Sequence, residues 1–64
     1  MKNIPRYIIE KINNNGDSVL ITLSDMKYIV ELKRAGYIRY TDVSDFDTPV
    51  GYKDIAITVI RMIQ

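Results

Sequence analysis

The chain contains no cysteine, no histidine and no tryptophan, and only three glycines and two prolines among its 64 residues. Without cysteine there is no disulfide and no thiolate to bind zinc or attack a carbonyl. Without histidine the commonest general base and metal ligand is missing as well. There is no glycine-rich phosphate loop and no serine in a nucleophile-elbow pattern. Enzymatic chemistry would fall to carboxylates, and none lies in a segment apolar enough to shift its pKa by burial, so the chain reads as a non-enzyme that needs no cofactor. Apolar runs are short too. None approaches the ~20 residues that span a bilayer, and the start Met1, Lys2, Asn3, Ile4, Pro5 lacks the apolar segment of a signal peptide. Together with the lack of disulfides, these absences describe a soluble, cytoplasmic protein without a membrane partner.

A chain of this length has room for one domain, residues 1–64, which buries only about 60% of its unfolded surface. With disulfides excluded and metal ligands scarce, association with another chain is the remaining way to add stability. The net charge is +1, but it is polarised along the sequence. Residues 1–40 hold Lys2, Arg6, Lys11, Lys27, Lys33, Arg34 and Arg39 against four acids, a balance of +3. Residues 41–64 hold Lys53 and Arg61 against Asp42, Asp45, Asp47 and Asp54, a balance of −2. An anionic partner should therefore meet the first part of the chain.

Asn3 and Pro5 signal a helix start, and Ile8, Ile9 and Ile12 give it an apolar face, so a helix is expected over residues 5–14 with Gly16 as its left-handed stop. Residues 19–23, Val-Leu-Ile-Thr-Leu, read as a buried strand. Ser24 or Asp25 should cap a second helix over residues 25–35, whose apolar arc holds Met26, Tyr28, Ile29, Val30, Leu32 and Ala35, opposite a stripe of Lys27, Glu31 and Arg34. Lys33 falls inside the apolar arc. It either lays its stem over the core or projects into a binding surface. Gly36 ends this helix. Residues 37–43 have strand composition, with Ile38 and Tyr40 on one face and Tyr37, Arg39 and Thr41 on the other. Asp, Pro and Gly make residues 44–52 a loop. Residues 53–63 read as a last strand, apolar on both faces and hence central: Ile55, Ile57, Val59 and Ile63 lie on one face, Ala56, Ile60 and Met62 on the other. The expected fold is α+β, with two helices packed on one face of a three-stranded antiparallel sheet.

Within this order, Leu32-Lys33-Arg34-Ala35-Gly36-Tyr37-Ile38 resembles the end of a recognition helix turning into a wing, a pattern of winged-helix DNA-binding domains. The helix-turn-helix is truncated, because only residues 17–23, of strand composition, stand where a separate preceding helix would lie. The resemblance implies a helix over residues 25–35 in the major groove of double-stranded DNA, and a wing at residues 44–52. Lys27, Lys33, Arg34 and Arg39 are the candidate nucleic-acid contacts. The wing itself carries Asp45 and Asp47, with Asp42 and Asp54 nearby, and so repels phosphate.

The same loop supports a different function. Asp42, Asp45 and Asp47 crowd three carboxylates together but lack the later Glu and the glycine spacing of a calcium loop, so no metal is assigned to them. With Phe46 and Tyr52 they form an acidic, aromatic surface for a basic protein, and Asp45, Phe46, Asp47 and Tyr52 are the candidate partner contacts. The sequence thus leaves two functions open: a small winged-helix-like transcription regulator, or a protein-binding module or inhibitor of the phage or mobile-element type. A homodimer is expected in either case. Two helices cover only one face of such a sheet, and Ala56, Ile60 and Met62 on the other face would need a second copy to cover them.

Overall fold

The computed structural model describes residues 3–14 and 16–63. The chain runs α1 (Arg6–Asn13), β1 (Val19–Thr22), a 3-10 turn (Leu23–Asp25), α2 (Met26–Arg34), β2 (Ile38–Asp42) and β3 (Tyr52–Val59). The three strands form one antiparallel sheet in the order β1-β3-β2, with the last strand in the centre. Two helices packed on this sheet make a winged-helix-like α+β fold, as the sequence leads one to expect.

The core is almost entirely isoleucine. Ile8 and Ile12 of α1, Ile29 and Leu32 of α2, Ile21 of β1, Ile38 of β2 and Ile55 of β3 are fully buried, and Ile4 and Ile63 close the cluster at its edge. The helical residues recur at the three- and four-residue spacing that defines one helix face, while each strand contributes one fully buried residue. No charged or polar side chain is buried among the described residues. Packing of apolar surface is therefore what holds the fold together.

The helix ends use different devices. Pro5 stands just before the first helical residue of α1, its carbonyl accepting the N–H groups of Ile8 (3.1 Å) and Ile9 (3.3 Å). At the other end α1 stops at Asn13, and Asn14 forms the cap with its N–H on the Glu10 carbonyl. Gly16 is not the left-handed stop that the sequence suggested, since only Gly36 and Gly51 have positive φ among the described residues. Asn15 lies outside the described residues. The cap ahead of α2 also differs from expectation. Neither Ser24 nor Asp25 caps it by its side chain; the hydroxyl of Thr22 accepts the N–H of Asp25 (3.2 Å) and opens the 3-10 turn that leads into the helix. This turn, and no further helix, lies between β1 and α2. Tyr7 ties the first helix to it by donating its hydroxyl to both carboxylate oxygens of Asp25 at 3.0 Å, and that hydrogen bond holds the phenol pKa above its usual value.

Gly36 does end α2 as expected. With φ of +86° it lets its own N–H reach the Lys33 carbonyl and the Tyr37 N–H reach the Leu32 carbonyl, each at 3.0 Å, in a Schellman arrangement. The backbone turns sharply there, and β2 starts two residues later.

The last strand is shorter than its composition suggested. It ends at Val59, opposite Ile38, because β2 begins at Ile38 and offers no residue to pair beyond it. The N–H groups of Ile60 (2.8 Å) and Arg61 (3.2 Å) both reach the Tyr37 carbonyl, and the chain bends so that Ile63 returns to the core. The Arg61 guanidinium lies 4.7 Å from the centre of the Tyr37 ring, securing the bend. Ile60 and Met62 are consequently not on a sheet face. They lie past its end, 50% and 78% exposed, and of the three residues assigned to the second face only Ala56 is on it.

That second face is also more polar than the composition of β3 implied. The register places Leu20 and Thr22 of β1, Arg39 and Thr41 of β2, and Tyr52, Asp54, Ala56 and Thr58 of β3 on it together. A face of this composition is compatible with water, so β3 is central yet covered on one side only.

Candidate nucleic-acid interface and wing

Burying Ile29 and Leu32 turns the opposite side of α2 to solvent with Lys27, Glu31 and Arg34 on it, while Lys33 is exposed at the edge of the buried face, towards β2. Lys27 and Arg34 are about 10 Å apart along the axis, at seven residues and ~1.5 Å each. No Lys or Arg of α2 forms an ion pair among the described residues, although Glu31 stands between Lys27 and Arg34. The two lysines rest on aromatic rings instead. Lys27 Nζ lies 5.2 Å from the centre of the Tyr28 ring, and Lys33 Nζ lies 5.8 Å from that of Tyr40 on β2. Lys33 is exposed, and its ammonium reaches over the ring of the half-buried Tyr40.

Arg39 is not part of this group. It follows Ile38 and precedes Tyr40, both of which face the core, so it projects from the other side of the sheet, where it pairs in register with Thr58. Sequence proximity to α2 put it among the helix cations, and strand alternation separates it from them.

The loop between β2 and β3, residues 43–51, forms the wing, and hydrogen bonds organise it throughout. Asp42 accepts the Ser44 N–H (2.9 Å), Asp45 accepts the Asp47 N–H (2.9 Å), and the Thr48 hydroxyl accepts the Asp45 N–H (3.0 Å). Ser44 Oγ bridges to the facing strand, accepting the Asp54 N–H at 2.9 Å and lying 3.4 Å from the Asp54 carbonyl oxygen. At its base the Gly51 carbonyl accepts the Leu23 N–H (3.0 Å), joining the wing to the turn that leads into α2. Gly51 has φ of +88°, which a side chain would strain.

These bonds fix the charge of the wing. The hydroxyl and then the N–H of Ser44, together with Lys53 Nζ 3.3 Å from the carboxylate, lower the Asp42 pKa from 3.8 to about 2. The shift comes from hydrogen bonds at an exposed carboxylate and not from burial. Asp45 and Asp47 have no cation beside them among the described residues. They line a cleft of about 270 Å³ with Asp54, Ser18, Leu20, Thr48 and Pro49. The described residues contain no group of carboxylates arranged to hold a metal ion.

The wing also holds apolar side chains out to solvent. Phe46 is 97% exposed and Val50 is fully exposed, while Tyr52, its other expected contact, is 40% exposed at the start of β3. Sequence reasoning singled out Phe46 and Tyr52 by their aromatic rings and passed over Val50, for which the preceding Pro49 and following Gly51, both turn residues, were the available signal. A second apolar surface occupies the opposite end of β3, where Asn13, Val59, Met62 and Ile63 line an open groove of about 500 Å³.

No helix among the described residues is long and apolar enough to cross a membrane. Comparison with protein-family models, with curated proteins and with solved structures finds no match to the chain.

Proposed function

We propose that the protein is a small cytoplasmic DNA-binding regulator that lays the exposed side of α2 on the phosphates of a duplex. One observation carries this reading: Lys27, Lys33 and Arg34 project from a single helix, exposed and free of ion pairs among the described residues. Cations without carboxylate partners can neutralise phosphate and release its counterions without first breaking a salt bridge. The fold supports the same surface, because in winged-helix domains the helix before the hairpin is the one that enters the major groove. Arg39 falls outside this interface, and the acidic wing stays off the phosphates. A fluorescence-anisotropy titration with random duplex at low salt tests the proposal. Binding in the range of about 10⁻⁴ to 10⁻⁶ M is expected, lost when Lys27, Lys33 and Arg34 are all changed to Glu. No binding at those concentrations would remove it.

A second reading rests on the wing, where Phe46 and Val50 are presented on a hydrogen-bonded loop; exposed apolar side chains on a rigid scaffold mark a protein-docking surface. It would coexist with DNA binding through α2 or replace it. Homodimerisation belongs with either reading, through Ile60, Met62 and Val59 at the end of β3 rather than through the sheet face that holds Ala56.

A further inference from the structure

Phe46 lies between Asp45 and Asp47 at the tip of the wing, and all three are exposed. Exposing a phenyl ring and an isopropyl group costs apolar hydration that turning them inward would save, and a floppy loop would let them fold back. This loop is not floppy. The Asp45–Thr48 and Asp47–Asp45 bonds hold the tip as a compact turn, and the Ser44–Asp54 bonds clamp its stem. These bonds hold Phe46 outward before any partner arrives, and the Tyr52 N–H on the Pro49 carbonyl (3.2 Å) closes the turn that exposes Val50, which lowers the entropy cost of docking.

Charge decides what the partner must be. Asp42 is paired with Lys53, but Asp45 and Asp47 flank the ring with no cation among the described residues, and Asp54 shares their cleft. Any phosphate-bearing surface, whether nucleic acid or anionic lipid, meets this collar with like charge. A protein surface with an apolar socket rimmed by Lys or Arg meets it with opposite charge. We infer, resting on the second reading above, that the wing docks a cationic amphipathic protein segment: Phe46 and Val50 enter its apolar stripe while Asp45 and Asp47 engage the flanking Lys or Arg.

Two fluorescein-labelled amphipathic helical peptides of equal length, one of Leu and Lys and one of Leu and Glu, provide the test with the full chain at near-physiological salt. The Leu/Lys peptide should bind with a constant in the micromolar range and the Leu/Glu peptide at least about tenfold more weakly. Phe46→Ser with Val50→Ser should weaken the Leu/Lys peptide by about tenfold or more, as loss of a central apolar anchor does. Asp45→Asn with Asp47→Asn should do the same; Asn can still accept the Asp47 N–H, so the turn survives and only charge is removed. Changing Lys27, Lys33 and Arg34 to Glu should not weaken it. Equal binding of both peptides, lost with Phe46 and Val50, would overturn the cationic partner and leave the docking surface standing. Binding indifferent to Phe46 and Val50 would overturn the docking surface itself. No binding of the Leu/Lys peptide up to about 100 µM, far above the micromolar constant expected, would overturn the inference.

Discussion

Substituting Arg34 and Arg39 one at a time to Ala separates the helix surface from the rest of the chain's positive charge. Three cations of α2 are available to phosphate, Lys27, Lys33 and Arg34, and Arg39 lies on the far side of the sheet. Each phosphate neutralised contributes about 0.9 to the slope of log K against log salt, so the three together give a slope near −2.7. Raising salt from about 50 to 200 mM should then weaken binding by about 40-fold. Arg34→Ala should bring the slope to about −1.8 and the loss over the same range to about 12-fold. Arg39→Ala should leave it unchanged. Lys33→Ala should cost less at fixed salt than Arg34→Ala, because Lys33 must leave the Tyr40 ring to reach phosphate, forfeiting about 0.5–1 kcal/mol or a factor of 2–5. Anisotropy titrations at four or five salt concentrations read all of these numbers. A slope that falls as much with Arg39→Ala as with Arg34→Ala would refute the placement of the interface on α2.

Four further outcomes follow from the packing and the wing. Ile55→Ala, at a fully buried position of the central strand, should destabilise by about 2–5 kcal/mol, against a total of about 3–10 kcal/mol for a domain of this size; denaturant midpoints will show whether the variant retains a folded baseline. Gly36→Ala should cost about 1–2 kcal/mol, because a side chain is strained at φ +86°; a midpoint equal to wild type would show that the Schellman turn is not rigid. Asp42 has a folded pKa of about 2 against an ordinary 3.8, so its contribution to stability is present above about pH 4 and lost as pH falls towards 2. Asp42→Asn should flatten the stability profile across that window and leave it parallel to wild type at neutral pH. Light scattering at about 100 µM, above typical micromolar dimer constants, should show a dimer that Ile60→Asp or Met62→Glu dissociates and Thr58→Glu, on the polar sheet face, does not; a monomeric wild type would remove the dimer.

Local pattern carried most of the architecture. The three- and four-residue spacing of Ile8, Ile12, Ile29 and Leu32 marked the two buried helix faces, and the alternation of Ile38 and Tyr40 oriented β2; β3 is central as expected, although the two-sided apolarity that suggested it is not there, because Ile60 and Met62 lie past its end. The spacing and the alternation are period signals, and a single element expresses them whatever lies beside it. Gly36 belonged to the same class, since a left-handed helix stop needs only its own backbone.

Pairing and local hydrogen bonds between neighbours decided the rest. The composition of residues 53–63 could continue a strand to its end, but Ile38 begins the strand it pairs with, so β3 stops at Val59 and Ile60 and Met62 leave the sheet. Arg39 is five residues from Arg34 in sequence, and the register of β2 with β3 sends it to the opposite face. The depressed pKa of Asp42 and the outward hold on Phe46 and Val50 come from contacts among residues 42–54 that only the closed hairpin creates. The sequence by itself determined the order of helices and strands and the buried face of each helix, but not burial in the strands: of residues 19–23, read as a buried strand, only Ile21 is buried, Leu20 is exposed, and Leu23 leaves the strand for the 3-10 turn. Only the tertiary structure decided where strands end, which charges share a surface and which apolar side chains are left facing water, because each of those depends on a partner residue that the chain must first fold to meet.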